Sequence, residues 1–484
     1  MWSEGDARWA QDRGVDLDAL SDQLRRLAAG DETLRIDRPA TVGDGIAWLD
    51  ASALPTLEIP GHRVTTFVPA SGAASRMFAA LVAARAEGFR TREALEAAVR
   101  GGRKDLAPCL DTYDGRADLA IGRHLAGATL GEALDDWLGE RAWQDRPKGL
   151  VPLHVYEGGA RTAVVEHLLE AAALAGTADT HVHFTVPAGL EDDFLVEREV
   201  AGALLGGRAP SVGCSIQHPK TDTVAATPDG AVFRDDEGNP LLRPGGHGAL
   251  IANLEALGGD LVVVKNIDNV GRDEDRDRVV AWRRGLVARL VELETKVHAL
   301  LADLDAGREP GPALDFAVRT FGRRGRGETA LEMARDALRR PIRVVAVVRN
   351  EGQPGGGPFW VCETDGTSTP QIMESAQIDR TDAGQAALFA SATHFNPVDM
   401  ALSLRDPAGA PYPLGPLVDD RGWLRASKTW RGRPLRALER PGLWNGAMAG
   451  WNTQFVEVPS WTFRPVKEVR DLLDPGHRSP AAAV

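Results

Sequence analysis

Val262-Val263-Val264-Lys265-Asn266-Ile267-Asp268-Asn269 is an apolar, β-branched run that closes on a carboxylate. Such a run reads as a buried strand, and Asp268 then stands at its carboxyl end. Upstream lies Arg243-Pro244-Gly245-Gly246-His247-Gly248, a loop whose missing side chains let backbone N–H groups come close to a ligand. The two signals together predict a nucleotide site in which Asp268 grips a metal ion.

Toward the amino terminus, residues 64–69 read as a strand that runs into Ala70-Ser71-Gly72-Ala73-Ala74-Ser75-Arg76-Met77 and then into an apolar helix. A helical stretch through Leu130, Leu134, Trp137 and Leu138 follows, too long for a bare loop, and ends at Arg146-Pro147-Lys148-Gly149-Leu150. Next come a helix opened near Thr162, a strand at 182–186 and a helix at 190–205. A charged helical block at 273–340 then precedes a strand at 342–348. This alternation predicts an α/β fold, an open and mostly parallel sheet in three layers with helices on both faces. Leu17, Leu20, Leu24 and Leu27 recur at helical spacing near the start, while the tail is rich in Pro, Gly and Trp.

With 43% apolar residues among 484, the chain can bury sizeable cores. No opening signal sequence and no apolar run of membrane-crossing length are evident, and the three cysteines, Cys109, Cys214 and Cys362, are scattered. A reducing cytoplasm is expected. The net charge of -13 argues against broad nucleic-acid or membrane surfaces, so an anionic ligand must meet a local cluster of cations.

A phosphate chain lies best against backbone N–H groups at a helix amino terminus, which suits the small residues around Gly72, with Arg76 adding a bidentate charge. The alternative for this loop is a close-packed strand-to-helix turn. Lys148 follows a proline that fixes the local backbone, and it can serve a phosphate or remain a solvated charge.

The run RPGGHGALIANLEALGGDLVVVKNIDNVG resembles the glycine-histidine-glycine loop and Asn-x-Asp-Asn strand end of the UTP:glucose-1-phosphate uridylyltransferase family. FVEVPSWTFRPVKEVRDLL is similar to a later stretch of the same family, ASGAASRM to the nucleotidyltransferase signature loop, RPKGLVPLH to the Pro-Lys after it, and CSIQHPKTD to the segment that offers a Gln to the base. These matches run in order from Val68 to Leu473. The whole chain also resembles a bacterial domain-of-unknown-function family with this fold.

The resemblance implies a nucleotide-diphospho-sugar transferase (GT-A-like) fold, with a cap at 1–60, a catalytic domain at 61–405 carrying helical insertions near 79–145 and 273–340, and a smaller region at 406–484 completing the site. It implies Mg²⁺-dependent attack of a sugar 1-phosphate on the α-phosphorus of a nucleoside triphosphate, with UTP favoured and pyrophosphate released. Ser71, Gly72, Ser75 and Arg76 would face the triphosphate, Lys148 and Lys467 would neutralise it, and Asp268 would bind Mg²⁺. Gln217, Gly245 and Gly246 would address the base, with His247 near nucleotide or sugar. Asn396 would meet the sugar, while Asn350, Glu351 and Glu374, read from residue type and not from the resemblance, are candidates to shape the sugar pocket with the run Pro354 to Pro358. The alternatives are a glycosyltransferase on the same fold and a nucleotide-sugar-binding regulator without chemistry. Small-molecule substrates are the expected partners, with no nucleic acid and no membrane.

Two departures stand beside the matches. Ser71 and Ala74 occupy positions where the family commonly has glycine, and Arg76 and Lys148 are 72 positions apart, far more than usual. Either the helical insertion leaves the loop and returns beside it, or Lys148 is a packing residue. Other readings stay open as well. His181 and His183 share a strand face, as a transition-metal site or as packing histidines. The run Pro354 to Pro358 is a hairpin connection or part of an acceptor pocket. The tail tryptophans Trp423, Trp430, Trp444, Trp451 and Trp461 fill a core or stack a sugar. The charged residues of 273–308 are expected on a solvated helix face.

Overall fold

Thr66, Phe67 and Val68 lie in the strand Val64–Pro69, buried on both faces as suits a central strand with a neighbour on each side. The computed structural model describes residues 2–29, 33–50, 64–176, 180–352 and 355–478. It divides into two units. The first holds Met1–Asp50, Gln217–Val262 and Leu286–Val458; the second holds Ala51–Ile216, Val263–Gly285 and Pro459–Val484.

In the second unit Val64–Pro69 pairs in parallel with His181–Thr185, which pairs in parallel with Ser211–Ser215. Residues 263–265, the end of the strand Leu261–Lys265, border Val64–Pro69 on its other side. The helix Ala163–Ala175 packs its apolar residues into the same core as Val68, Val182 and Phe184. Thr162 caps this helix by accepting from the Val165 N–H. The expected helical insertion is present as Ala79–Ala86, Arg92–Arg100, Ala107–Asp114 and Leu130–Asp135, and it buries Leu95, Cys109 and Trp137.

In the first unit Ile342–Arg349 runs parallel to Asn452–Glu457 and antiparallel to Asp399–Ser403. Asn452–Glu457 runs parallel to Gly45–Ala47, which runs parallel to Thr41–Val42. A second sheet, all antiparallel, orders Leu242–Arg243, Thr223–Ala226, Arg433–Glu439 and Leu424–Trp430. Helices Glu4–Arg13 and Leu17–Ala29 pack Leu20, Leu24 and Leu27 onto it beside Val224 and Leu438. A third sheet pairs Gly357–Cys362 with Ile36–Pro39 and Ser368–Met373. The protein is thus mixed α/β with mostly parallel central strands. Pro354 lies outside the described residues, and the rest of its run opens a strand: Gly357 and Pro358 are already in register with Met373 and Ile372.

The charged block resolves into Asp273–Asp305, Gly311–Phe321 and Ala330–Leu338. Its expected solvation fails at Arg283, which is 2% exposed and bonded to Glu170 of Ala163–Ala175. Lys265, 1% exposed, donates from Nζ to both Glu170 oxygens at 2.7 Å. Burial pushes Glu170 toward protonation, but Arg283 and Lys265 beside it hold it well below the usual carboxylate range. Removing one partner of a buried cluster leaves uncompensated charge. Glu170→Ala is therefore expected to cost about 3–5 kcal/mol, read as a lowered urea midpoint at unchanged slope.

Candidate functional site

Strand Leu261–Lys265 ends in a tight turn in which the Asn269 N–H donates to the Asn266 carbonyl at 3.1 Å. That turn lifts Asp268 out of the core. The Lys148 Nζ donates to Asp268 Oδ2 at 3.0 Å, and both side chains are largely but not fully covered. The Lys148 N–H in turn reaches the Gly72 carbonyl at 3.1 Å, Ala74 N–H reaches the Arg146 carbonyl at 2.9 Å, and Ala73 bridges Pro147. The helical insertion therefore leaves the small-residue loop and returns beside it, which explains the spacing between Arg76 and Lys148.

The fourth segment comes from near the carboxyl terminus. The Val466 N–H donates to the Asp268 carbonyl at 2.9 Å, and Asn269 bridges Pro465. Lys467 follows directly, its N–H bonded to Asp471 Oδ2 at 2.7 Å. Around this convergence Gly72, Ser75 and Arg76 are exposed and Ser71 is half-buried. Open space surrounds the position a Gly72 Cβ would take, and Ser75 Oγ donates to the Gln144 carbonyl.

His167, which the apolar helix pattern hid, braces the turn from below. Its Nε2 donates to the Ile267 carbonyl at 3.2 Å, while Nδ1 is buried without a partner, so the ring is neutral with its proton on Nε2. Burial, with Lys265 adding to it, pulls His167 down to about 3. Nearby, His154 bonds Glu166 through Nδ1 and His477 through Nε2, and burial beside His154 brings His477 to about 3 as well. The sequence signal for both clusters was polar residues, Glu166, His167 and Glu170, inside an otherwise apolar helix.

The remaining candidates lie in the first unit. Gln217 Nε2 donates to Asp222 at 3.1 Å, and the neighbouring Thr221 carbonyl lies 2.6 Å from where a Gly245 Cβ would stand. A Cβ on Gly248 would sit 2.0 Å from the Pro441 carbonyl. At these two glycines it is protein backbone that comes close. Gly246, at φ +76°, meets its nearest neighbour in ordinary contact. His247 stacks on Trp444 at 4.3 Å and accepts from the Leu443 N–H, which puts the neutral ring's proton on Nε2. Burial lowers its pKa against the pull of Glu374 and Glu439.

Asn396 is buried; its N–H reaches the Gly356 carbonyl, its Oδ1 accepts from Val398, and its Nδ2 has no partner. A Gly356 Cβ would lie 3.3 Å from Glu374 Cγ, so Asn396 and Glu374 flank one glycine. Asn350 and Glu351 are exposed, and the Asn350 amide is spent on the Gly352 N–H. His181 and His183 bond the hydroxyls of Ser211 and Ser215. Among the tail tryptophans, Trp451 is core, Trp430 packs edge-on to Phe233, Trp423 lies under Arg440 and Trp461 under Arg278.

Asp268 is a single carboxylate, and among the described residues no group of three His, Cys, Asp or Glu side chains could hold a metal ion. Magnesium is commonly held by one or two carboxylates with substrate phosphates and water, so the residues fit a cation that arrives with a phosphate chain.

An α/β protein with an exposed small-residue loop, a lysine paired to a carboxylate, and the backbone before Lys467 drawn together from four distant segments is the class defined so far. The chain belongs to the family described as Domain of unknown function (DUF4301), whose model matches residues 3–110 and 138–478. No curated protein matches it. Among solved structures it is similar to the UDP-glucose phosphorylase from Trypanosoma brucei, with 13% identity, TM-score 0.48, and 98% of this chain and 80% of that chain covered. It is also similar to a mutant UDP-glucose pyrophosphorylase from Leishmania major in complex with UDP-glucose, with 14% identity, TM-score 0.46, and 99% and 80% covered. Among the described residues no helix is long and apolar enough to cross a membrane.

Two outcomes test this geometry. The unfolded chain protonates His167 below about 6.5 and the folded chain only near 3, so the unfolded state binds more protons between these values. Stability should fall as pH drops through that window, by at most ~1.4 kcal/mol per pH unit for each such ring, and His167→Gln should flatten the slope of melting temperature against pH. Gly248→Ala should lower the melting temperature by several degrees, whereas Gly72→Ala should leave it unchanged.

Proposed function

We propose that the protein transfers a nucleotidyl group from a nucleoside triphosphate, preferentially UTP, to a sugar 1-phosphate, on a nucleotide-diphospho-sugar transferase fold. The observation that carries this reading is the meeting of the Gly72 loop, Lys148, Asp268 and the segment before Lys467 in one unit. Its order along the chain matches the uridylyltransferase resemblance. The reaction needs no protein nucleophile. An acceptor phosphate oxygen bonds to the α-phosphorus, the bond to the β-phosphate oxygen breaks, and pyrophosphate leaves. The N–H groups of Gly72, Ala73, Ser75 and Arg76 would meet the phosphates, and Arg76, Lys148 and Lys467 would balance the departing charge. Asp268 would hold Mg²⁺ through the oxygen that Lys148 leaves open, and the ion would supply charge neutralisation on the phosphates.

One observation favours a second reading, a nucleotide-sugar binder without chemistry. Lys148 already neutralises Asp268, as a fixed internal cation would where no metal is used.

Purified protein with Mg²⁺, UTP and a panel of sugar 1-phosphates is expected to release pyrophosphate, and Asp268→Ala or Lys467→Ala should each lower turnover by about a hundredfold or more while keeping the melting temperature. Saturable calorimetric binding of a nucleotide sugar with no pyrophosphate from any substrate pair would replace the transferase with the binder.

A further inference from the structure

The turn Gly322-Arg323-Arg324-Gly325-Arg326-Gly327 is left unused by the reading above, yet the first unit builds it rigidly. Gly322, Gly325 and Gly327 have φ of +65°, +75° and +151°. A Cβ on Gly325 would lie 1.9 Å from the Met333 carbonyl and one on Gly322 would lie 2.3 Å from the Trp360 ring. The backbone is therefore locked against the helix Ala330–Leu338 and the strand Gly357–Cys362, and three successive guanidinium groups are presented from it.

These arginines line a cleft of about 320 Å³, within the size range of small-metabolite sites. Arg340 and Arg421 in its wall are already neutralised, by Asp336 at 2.7 Å and by Asp419 and Glu363 at 2.7 and 3.0 Å. Arg323 and Arg324 have no ion pair among the described residues, and Arg326 reaches only Asp336, at 3.7 Å. Arg323 donates to the Ala449 and Trp451 carbonyls at 3.1 Å, while its Nε is buried without a partner. Burial and the neighbouring Arg340 bring it down to about 10. Arg343, fully buried, does not line the cleft; it has no ion pair among the described residues, feels the Arg323 charge, and donates to Thr453 and the Trp444 carbonyl. Five arginines against the four carboxylates Asp336, Glu363, Asp365 and Asp419 line the cleft, and the surplus guanidinium charge with the unpartnered Arg323 Nε favours an anion with several acceptor oxygens. Across the cleft, Thr364, Asp365 and Thr367 provide hydroxyl and carboxylate groups suited to ligand hydroxyls.

The geometry points to this cleft as a second ligand site, for a small phosphate monoester that also carries hydroxyl groups. Its phosphate lies against Arg323, Arg324 and Arg326, and its hydroxyls face the Thr364–Thr367 wall. The site is independent of the nucleotidyl-transfer reading, because it uses none of the same residues and requires no turnover.

Glucose 6-phosphate, which lacks the anomeric phosphate that the proposed transfer needs, and inorganic phosphate are the probes. Titration calorimetry of the full chain is expected to show one saturable site for glucose 6-phosphate, weakened at least about tenfold in Arg324→Ala/Arg326→Ala and unchanged in Lys148→Ala. Both substituted arginines are exposed, so that variant should melt with the parent. Arg324→Glu alone is a second variant, expected to abolish binding. Three results would overturn the proposal: no saturable heat up to about 10 mM ligand, equal affinity in the arginine variants, or loss of binding in Lys148→Ala. Equal affinity for inorganic phosphate and glucose 6-phosphate would remove the hydroxyl-facing wall from it.

Discussion

Glu170 is the carboxylate on which the second unit turns. It sits in the interior between Lys265 at the end of a central strand and Arg283 on the long helix that follows, so three separate elements share one electrostatic centre. Charges so placed are tolerable only together, since each alone would carry the cost of lost hydration. Holding Lys265 fixes the strand end, and His167, one turn from Glu170 on the same helix, fixes the next carbonyl at Ile267. Asp268 then has little freedom left. What is offered to solvent at the strand tip is decided by what is paired beneath it.

The pattern of central strands was largely legible. The β-branched runs gave 182–186 against the observed His181–Thr185 and 342–348 against Ile342–Arg349, because apolar runs of that length have few other stable destinations. The interruption at residues 79–145 was legible as helix from its period. Its return to the loop it leaves was legible only as one of two alternatives raised by the resemblance, for closure of a long insertion depends on tertiary contacts such as Ala74 to Arg146 that leave no local trace.

Charge was the least legible property. Asp273 to Arg308 looked uniformly solvated, yet Arg283 is buried because its partner, Glu170, lies 113 positions away. A local window can show that a residue is charged but not that an opposite charge waits for it. The glycines were ambiguous for a related reason. Sequence shows where a side chain is missing but not what comes into the space, and in the first unit it is the Thr221 and Pro441 carbonyls at Gly245 and Gly248. At Gly450 it is again backbone, with an added Cβ 2.7 Å from the Leu417 carbonyl.

The contrast between Gly248 and Gly72 bears on how relatives of this chain can be sorted. Gly248 is demanded by the fold itself, so any relative that keeps the fold will keep it, and its presence says nothing about what a given copy binds. A Cβ at Gly72 would touch nothing within 4 Å. Selection can hold it only through whatever binds there, which makes drift at that position, rather than at the more conspicuous histidine loop, the mark by which silent copies would betray themselves.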